Sequence, residues 1–209
     1  PPAYFFIGEG SADLAFDPEL LPEGWSEAAQ WAHFGGISLA RQPLAATLVA
    51  LAARLRARGV RISFDPNYRN LMEHGYRPTL ETMVALADLV KVSDEDLRCL
   101  FGTDEQTALA SLRAMNPQAM ILVTRGPHAA TFLAGHETIE AAPPRVEVVD
   151  TVGAGDASIG GFLFSMMRWP QRSWRDHLAF ALAAGAAACR HAGAHSPALD
   201  EVVALMPSQ

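Results

Sequence analysis

Short apolar runs alternate with longer helix-like stretches through the middle of this chain of 209 residues. This alternation is typical of a parallel β-sheet with helices packed on its faces. The sequence therefore predicts an α/β fold, and its length and 50% hydrophobic content suit a single domain over residues 1–209. The predicted strands are Trp31–Gly35, Val60–Asp65, Leu89–Val92, Ala119–Thr124, Ala130–Ala134, Thr138–Ala141 and Val146–Val149.

Residues that start and stop helices flank the segments between these strands. Pro43 suits the first turn of a helix that ends before Gly59, and Ser93 precedes three acids that favour the positive end of a helix. The predicted helices are 43–58, 80–87, 105–115, 157–167, 174–191 and 198–206, with another that begins at Asp94.

Composition and charge argue against several classes of function. The formal charge is −7 and the basic residues are scattered, which disfavours binding of nucleic acids. The longest apolar run, Leu178–Cys189, is too short for a membrane span, and two cysteines cannot build a disulfide framework. We therefore expect a cytoplasmic protein with neither nucleic-acid nor membrane partners.

One segment, Asp150-Thr151-Val152-Gly153-Ala154-Gly155-Asp156, has the composition of a ligand-binding turn. A glycine-rich turn between a strand and a helix lets the backbone approach a ligand, and the first amides of the helix point outward. The amides of Ala154, Gly155 and Asp156 would then stabilise charge on a transferring phosphoryl group. A carboxylate is electrostatically unfavourable beside a phosphate, so Asp156 suggests a task such as accepting a proton from an attacking hydroxyl.

The residues alone leave a second interpretation of this segment open. An ordinary glycine turn, with an aspartate favoured by the helix dipole, has the same sequence. Other titratable residues also have ordinary explanations. Asp65 suits a turn, and Arg125 suits a cation at the surface or beside a phosphate. Cys189, His191 and His195 have no visible fourth ligand, so we predict no metal there.

Two widespread nucleotide-binding motifs are absent from the sequence: Gly-x-x-x-x-Gly-Lys-Ser/Thr, and Gly-x-Gly-x-x-Gly in the first βα turn. Residues 150–156 instead resemble the second signature of the ribokinase-like, or PfkB, family of carbohydrate kinases. Other segments resemble further blocks of that family in the same order, and Phe64–Arg69 resembles its fructokinase and 2-keto-3-deoxygluconate kinase branch. The remaining blocks are His33–Leu39, Lys91–Leu97 and Val123–Gly126.

The resemblance implies a ribokinase-like three-layer α/β/α fold with a mostly parallel central sheet and a small β lid. It implies that Asp156 is the catalytic base. The catalytic anion hole would be formed by the amides of Gly153, Ala154, Gly155 and Asp156. The turn that binds the substrate and the transferred phosphate would be formed by Asp65, Asn67 and Arg69.

The cofactors implied by the resemblance are ATP and Mg²⁺, with K⁺ as a monovalent cation that some members use. Thr124 and Gly126 match positions that line the nucleotide phosphates and ribose, and Gly193-Ala194 matches the loop near adenine. Asp96 matches a position associated with Mg²⁺ through water, although the family has Asn and Glu where this chain has Ser93 and Asp96. Asp150 matches a residue near the monovalent cation.

The chain begins Pro1-Pro2-Ala3-Tyr4, without an initiator methionine. The first strand and most of the lid of the family would precede this point. The resemblance therefore implies the C-terminal two-thirds of the family fold, with residues 1–25 a remnant of the lid and its connection. Strands without neighbours expose edges and apolar faces, so we expect this stretch alone to be poorly soluble or to pair as a homodimer.

The implied function is ATP-dependent transfer of the γ-phosphoryl group to a primary hydroxyl of a sugar. Fructokinase-like relatives commonly have Phe-Tyr-Arg in the lid before Ala-Asp, whereas this chain has Phe6-Ile7-Gly8 before Ser11-Ala12-Asp13. An arginine would pair with the carboxylate of a sugar acid, so its absence favours fructose as the substrate. 2-Keto-3-deoxygluconate, or another sugar or nucleoside, is an alternative acceptor. A noncatalytic nucleotide-binding protein is an alternative of a different class.

Overall fold

The computed structural model describes residue 8, residues 10–72 and residues 75–207. The chain divides into two compact units, the first ending at Ala87 and the second beginning at Asp88. Both units combine strands with helices, which confirms the predicted α/β fold. The assignment of residues 1–209 to a single domain stays a prediction.

The first unit is a parallel strand pair with helices. Its strands and α-helices are β1 (Trp31–Gly35), α1 (Gly36–Leu39), α2 (Leu44–Ala57), β2 (Arg61–Asp65) and α3 (Arg77–Leu86). Strands β1 and β2 are parallel, in register from Trp31 with Arg61 to Gly35 with Asp65. Strand β2 is buried from Ile62 onward, and Leu51, Ala52 and Leu55 of α2 are buried as well. Short 3-10 helices lie at Ala12–Ala15, Pro18–Leu20 and Asn70–Met72.

Arg41 connects the beginning of the first unit to the turn after α1. Its Nη1 donates to the Asp13 carboxylate at 2.5 Å, and its Nη2 donates to the Gly8 carbonyl and the Ser11 hydroxyl. These contacts hold Gly8, Ser11 and Asp13, which belong to the predicted lid remnant. The lid residues Phe6 and Ile7, on which the substrate comparison depends, lie outside the described residues.

The second unit contains four strands and the helices that carry the glycine-rich turn. Its elements are β3 (Leu89–Ser93), α4 (Asp94–Phe101), α5 (Glu105–Met115), β4 (Met120–Arg125), β5 (His128–Ala134), β6 (Glu137–Ala141), α6 (Ala154–Arg168), α7 (Trp174–Ala188) and α8 (Leu199–Val203). Strands β3 and β4 are parallel, whereas β4, β5 and β6 pair antiparallel. The parallel pair therefore ends in an antiparallel meander.

Helices α6 and α7 pack together and form the apolar centre of this part of the unit. Small residues lie where the two helices are close, because a Cβ at position 161 would come within 2.7 Å of the Ala184 Cβ. The Phe132 ring of β5 lies 4.9 Å from the Phe162 ring of α6. The buried Ser165 hydroxyl lies 2.8 Å from His177 Nδ1, so these two buried polar groups satisfy each other.

Several predicted boundaries were wrong. Residues 146–149 form no strand; instead, the amides of Val149 and Asp150 donate to the Cys189 carbonyl at 2.8 and 3.3 Å. The valines that suggested a strand are largely exposed. Helix α6 begins at Ala154, three residues earlier than expected, because Gly153 already has the left-handed conformation that precedes the first turn. Helices α7 and α8 are shorter than predicted.

Among the described residues, no helix combines the length and the apolar character that crossing a bilayer would require.

Candidate active site around the glycine-rich turn

The turn before α6 depends on a glycine at position 153. Gly153 has φ 80° and ψ −2°, a left-handed conformation that favours glycine. A Cβ at this position would also lie 3.2 Å from the Ala194 Cα, so the turn packs directly against the loop after α7. The structure thus brings together two predicted nucleotide-binding segments, the 153–156 turn and Gly193-Ala194.

Asp156 is the third residue of α6, and its carboxylate is exposed. No hydrogen bond or ion pair to this carboxylate is found within the part of the chain that the structure describes. The residue lies in the first helical turn, whereas the sequence suggested a turn before the helix. An unengaged carboxylate at this place is able to accept a proton from a bound hydroxyl.

The amides of this first turn differ in availability. The Ala154 amide donates to the Thr151 carbonyl at 3.2 Å, so it already has an acceptor, and its part in binding an anion stays a prediction. The amides of Gly155 and Asp156 have no acceptor among the described residues, as is usual for the first turn of a helix. Two backbone donors, at the positive end of a helix of 15 residues, remain for an anionic ligand.

The Asp150 carboxylate holds the turn in place. Its Oδ1 accepts the Val152 amide at 3.1 Å, and its Oδ2 accepts the Gly193 amide at 2.8 Å. These two bonds lower the pKa of Asp150 below its usual value, the Val152 bond most. Asp150 therefore stays ionised and links the entry of α6 to the loop after α7.

A groove of about 480 Å³ extends from the turn along α6 and α7. Gly153 and Asp156 lie among its lining residues with Ala194 and His195, and Phe164 and Phe180 contribute to its apolar wall. Most small-molecule sites combine an apolar wall with a few polar groups in this way.

Lys91 is a residue near the turn that the sequence analysis did not assign. It is buried on β3, with a relative exposure of 5%, and its Nζ lies 3.1 Å from the point where a Cβ at position 155 would be. Glycine at 155 therefore leaves room for a buried ammonium group beside the first turn of α6. A lysine within an apolar strand gives no periodic signal, which is why the sequence pattern did not reveal it.

The predicted magnesium residue Asp96 lies at the start of α4. Asp96 Oδ2 accepts the Ser93 amide at 2.7 Å, and Ser93 Oγ accepts the Asp96 amide at 3.0 Å, so the two residues form a capping box. Thr124 pairs in register with Ser93, and Gly126 follows β4 with φ 53°. The ends of β3 and β4 thus lie side by side, and the roles of Asp96, Thr124 and Gly126 stay predictions.

Arg125 pairs with Glu105 rather than projecting freely from the strand end. Its Nε and Nη2 both donate to the Glu105 carboxylate, the shortest contact being 2.6 Å, and its Nη1 donates to the Ala129 carbonyl and Thr131 Oγ1. The hydrogen bonds to Arg125 lower the pKa of Glu105. This guanidinium therefore joins α5 to β4 and β5.

The predicted phosphate turn lies in the first unit, at the end of β2. The buried Asp65 accepts the Asn67 amide at 3.0 Å, and Asn67 has the positive φ of 42° that this turn requires. Arg69 Nη1 donates to Asn67 Oδ1 at 2.6 Å and to the Tyr68 carbonyl at 2.7 Å. The three residues form one hydrogen-bonded turn, and their role in binding phosphate stays a prediction.

Comparison with known proteins identifies relatives over most of the chain. A fructokinase of Klebsiella pneumoniae is 36% identical over 165 residues, which are 77% of this chain and 53% of that enzyme. The structure of a Xylella fastidiosa fructokinase with bound ATP matches this fold with a TM-score of 0.83 and 27% sequence identity. The match covers 93% of this chain and 66% of that one. An aminoimidazole riboside kinase of Salmonella enterica, solved with aminoimidazole riboside and an ATP analog, matches with a TM-score of 0.75 and 30% sequence identity. That match covers 85% of this chain and 62% of the kinase.

The chain spans about half the length of the Klebsiella enzyme. The sequence profile of the pfkB family carbohydrate kinases matches residues 4–201, which include the glycine-rich turn and helices α6 and α7. On this match, and on a fold shared with solved sugar kinases, the chain belongs to the pfkB family of carbohydrate kinases.

Proposed function

We propose that the protein transfers the γ-phosphoryl group of ATP to a primary hydroxyl of a sugar, with fructose as the substrate. The observation that carries the proposal is the position of Asp156: an exposed, unengaged carboxylate in the same helical turn as two available backbone amides. A base and an anion site in one turn match the two needs of phosphoryl transfer, which are to accept a proton and to stabilise charge.

The sugar hydroxyl oxygen forms a bond to the γ-phosphorus of ATP, the bond from that phosphorus to the bridging oxygen breaks, and ADP leaves. The hydroxyl proton passes to Asp156. A carboxylate is a weak base for an alcohol, so the proton moves late, when the new bond has largely formed. The amides of Gly155 and Asp156 stabilise negative charge on the transferring group.

Mg²⁺ would enter with the nucleotide phosphates and screen their charge. Asp96 suits a role through water better than direct coordination, because it is only 4% exposed and one of its oxygens accepts the Ser93 amide. K⁺ is proposed near Asp150. Both oxygens of that carboxylate already accept backbone amides, so K⁺ would depend on additional carbonyl ligands.

Fructose is proposed because relatives named fructokinases match over most of the chain. The riboside kinase is a comparably similar structure, at 30% identity, so a riboside is the strongest competing acceptor. 2-Keto-3-deoxygluconate and ribose are the other acceptors to be compared with fructose.

A noncatalytic nucleotide-binding protein is the alternative from another class. It would need the anion-binding amides but would have no use for a carboxylate beside them, since that charge repels phosphate. The exposed Asp156 therefore favours catalysis over simple binding.

The proposal is tested by ADP release from ATP and Mg²⁺ by the whole protein, with fructose, aminoimidazole riboside, 2-keto-3-deoxygluconate and ribose as separate acceptors. We expect release that depends on fructose. Preference for the riboside would replace the substrate and keep the kinase. Binding of ATP with no turnover of any acceptor would support the noncatalytic alternative.

A further inference from the structure

Two histidines on the loop after α7 meet a glutamate of α8 beside the groove. His191 Nε2 lies 3.0 Å from Glu201 Oε1, and His195 Nε2 lies 3.4 Å from Glu201 Oε2. The three candidate ligand atoms all lie within 4.8 Å of one another. We propose that His191, His195 and Glu201 form a binding site for a divalent transition metal of the zinc class.

The ligand spacing suits tetrahedral zinc. With bonds of about 2.0 to 2.1 Å, neighbouring ligands of such an ion are separated by about 3.3 Å. The separation of 3.0 Å between His191 Nε2 and Glu201 Oε1 is close to that value, and His195 Nε2 lies 3.4 Å from the other carboxylate oxygen, Oε2. The imidazole rings are stacked, with centroids 3.7 Å apart, so they must rotate apart slightly to hold one ion between them and the carboxylate.

The chemical character of the ligands is that of a zinc site with an open position. Imidazole nitrogen and carboxylate oxygen are both zinc ligands, and two histidines with one glutamate leave the fourth position for water. Zinc takes the Nε2 lone pair, so each imidazole in the bound state carries its proton on Nδ1. All three side chains are partly exposed, from 29% to 41%, so an ion is able to enter from solvent.

A backbone donor orients the carboxylate for this role. The Ala198 amide donates to Glu201 Oε2 at 2.7 Å, which fixes the side chain and leaves Oε1 toward His191. This bond, with the contacts to His195 and His191, lowers the pKa of Glu201 to about 2. The Ala198 amide therefore holds the carboxylate in place, as in sites where an outer hydrogen bond positions a ligand.

The sequence analysis predicted no metal at this place because it found only His191, His195 and Cys189 close together. Glu201 was missed since it follows His195 by six residues and approaches only when the chain turns into α8. His195 also lines the groove beside Asp156, so metal binding would fix one wall of that groove. The metal proposal does not depend on the proposed kinase activity.

The test is zinc titration of the whole protein, without a histidine tag and after removal of metals by a chelator, followed by calorimetry or competition with a zinc-binding dye. We expect one zinc ion per chain. H191Q, H195Q and E201Q should each weaken binding by about tenfold or more, because even the outer partners of metal ligands are worth about 10- to 100-fold in affinity. H136Q, at an exposed histidine in the β5–β6 turn, is the matched control and should bind as the unaltered protein does.

Two further measurements protect the test from folding artefacts. Thermal unfolding without metal shows whether each variant is folded, and the visible absorption of bound Co²⁺ reports coordination by nitrogen and oxygen directly in the unaltered protein. The proposal is wrong if the unaltered protein takes up no zinc or Co²⁺, or if H191Q and H195Q bind zinc as tightly as H136Q.

Discussion

The Lys91 ammonium lies so close to Gly155 that a Cβ there would be 3.1 Å from Nζ. A buried positive charge is therefore placed beside the helical turn whose amides are proposed to hold the transferring phosphate. Lys91→Met keeps the length of the side chain and removes the charge. We expect kcat to fall about tenfold, because electrostatic stabilisation within a site of low polarity is strong. Unfolding curves check that the variant is folded; an unchanged kcat in a folded variant would contradict the role.

Asp156→Asn removes the proposed base and keeps the shape of the side chain. We expect kcat for ADP release to fall by about 10²- to 10⁴-fold, the usual contribution of a general base, with nearly unchanged affinity for ATP. Asp94→Asn is the matched control, since Asp94 is an exposed acid in the first turn of α4. Retained turnover in Asp156→Asn would remove Asp156 from this role.

Gly153→Ala should destabilise the protein. The new methyl group would have to adopt φ 80° and would lie 3.2 Å from the Ala194 backbone, so we expect a loss of about 1 to 3 kcal/mol in the free energy of unfolding. Gly160→Ala is the control, because Gly160 lies within α6 and a Cβ added there would meet open space. That substitution should be neutral or stabilise by about 0.5 to 1 kcal/mol, as measured by urea unfolding. Equal stability of the two variants would contradict the argument.

Arg125→Lys distinguishes a structural role from phosphate binding. A lysine cannot reproduce the paired contacts to Glu105 together with those to Ala129 and Thr131, so stability should fall by about 1 kcal/mol. Affinity for ATP, measured by calorimetry, should stay unchanged. Weakened ATP binding without a loss of stability would instead assign the guanidinium to the nucleotide.

His177 should make stability depend on pH. Burial lowers its pKa below 6.5, so the folded state binds a proton less readily than the unfolded state. Its contribution to stability is complete above about pH 6.5 and is lost as the pH falls toward the lower pKa of the folded state. His177→Asn keeps a partner for Ser165 and cannot be protonated. Urea unfolding at several pH values should therefore show a smaller loss of stability at low pH than in the unaltered protein. The same loss in both proteins would assign the effect to other groups.

Local signals allowed much of the fold and part of the site to be predicted. Ser93 correctly marked the start of α4, and the glycine-rich turn correctly preceded an apolar helix. Residues 146–149 were wrongly assigned because valine alternation indicates an extended chain but not a partner strand, and here the amides bond to the end of α7.

The missed residues depend on contacts between distant parts of the chain. Lys91 of β3 matters only because the fold places its Nζ beside Gly155 of α6, and Glu201 only because α8 brings it to two histidines. No periodicity within a single segment encodes either contact. The sequence shows which residue types are present, whereas the packing of the helices and strands determines which of them come into contact.

The hydrogen bonds that join Cys189 to Val149 and Asp150, and Asp150 to Gly193, have a mechanical consequence. They fasten the residues before the Asp156 turn to the residues after α7, although these are far apart in sequence. A deletion that removed the chain after Ala188 would therefore release the turn, and a ligand that tightened the loop after α7 would also stiffen it. The loop after α7 thus braces the glycine-rich turn.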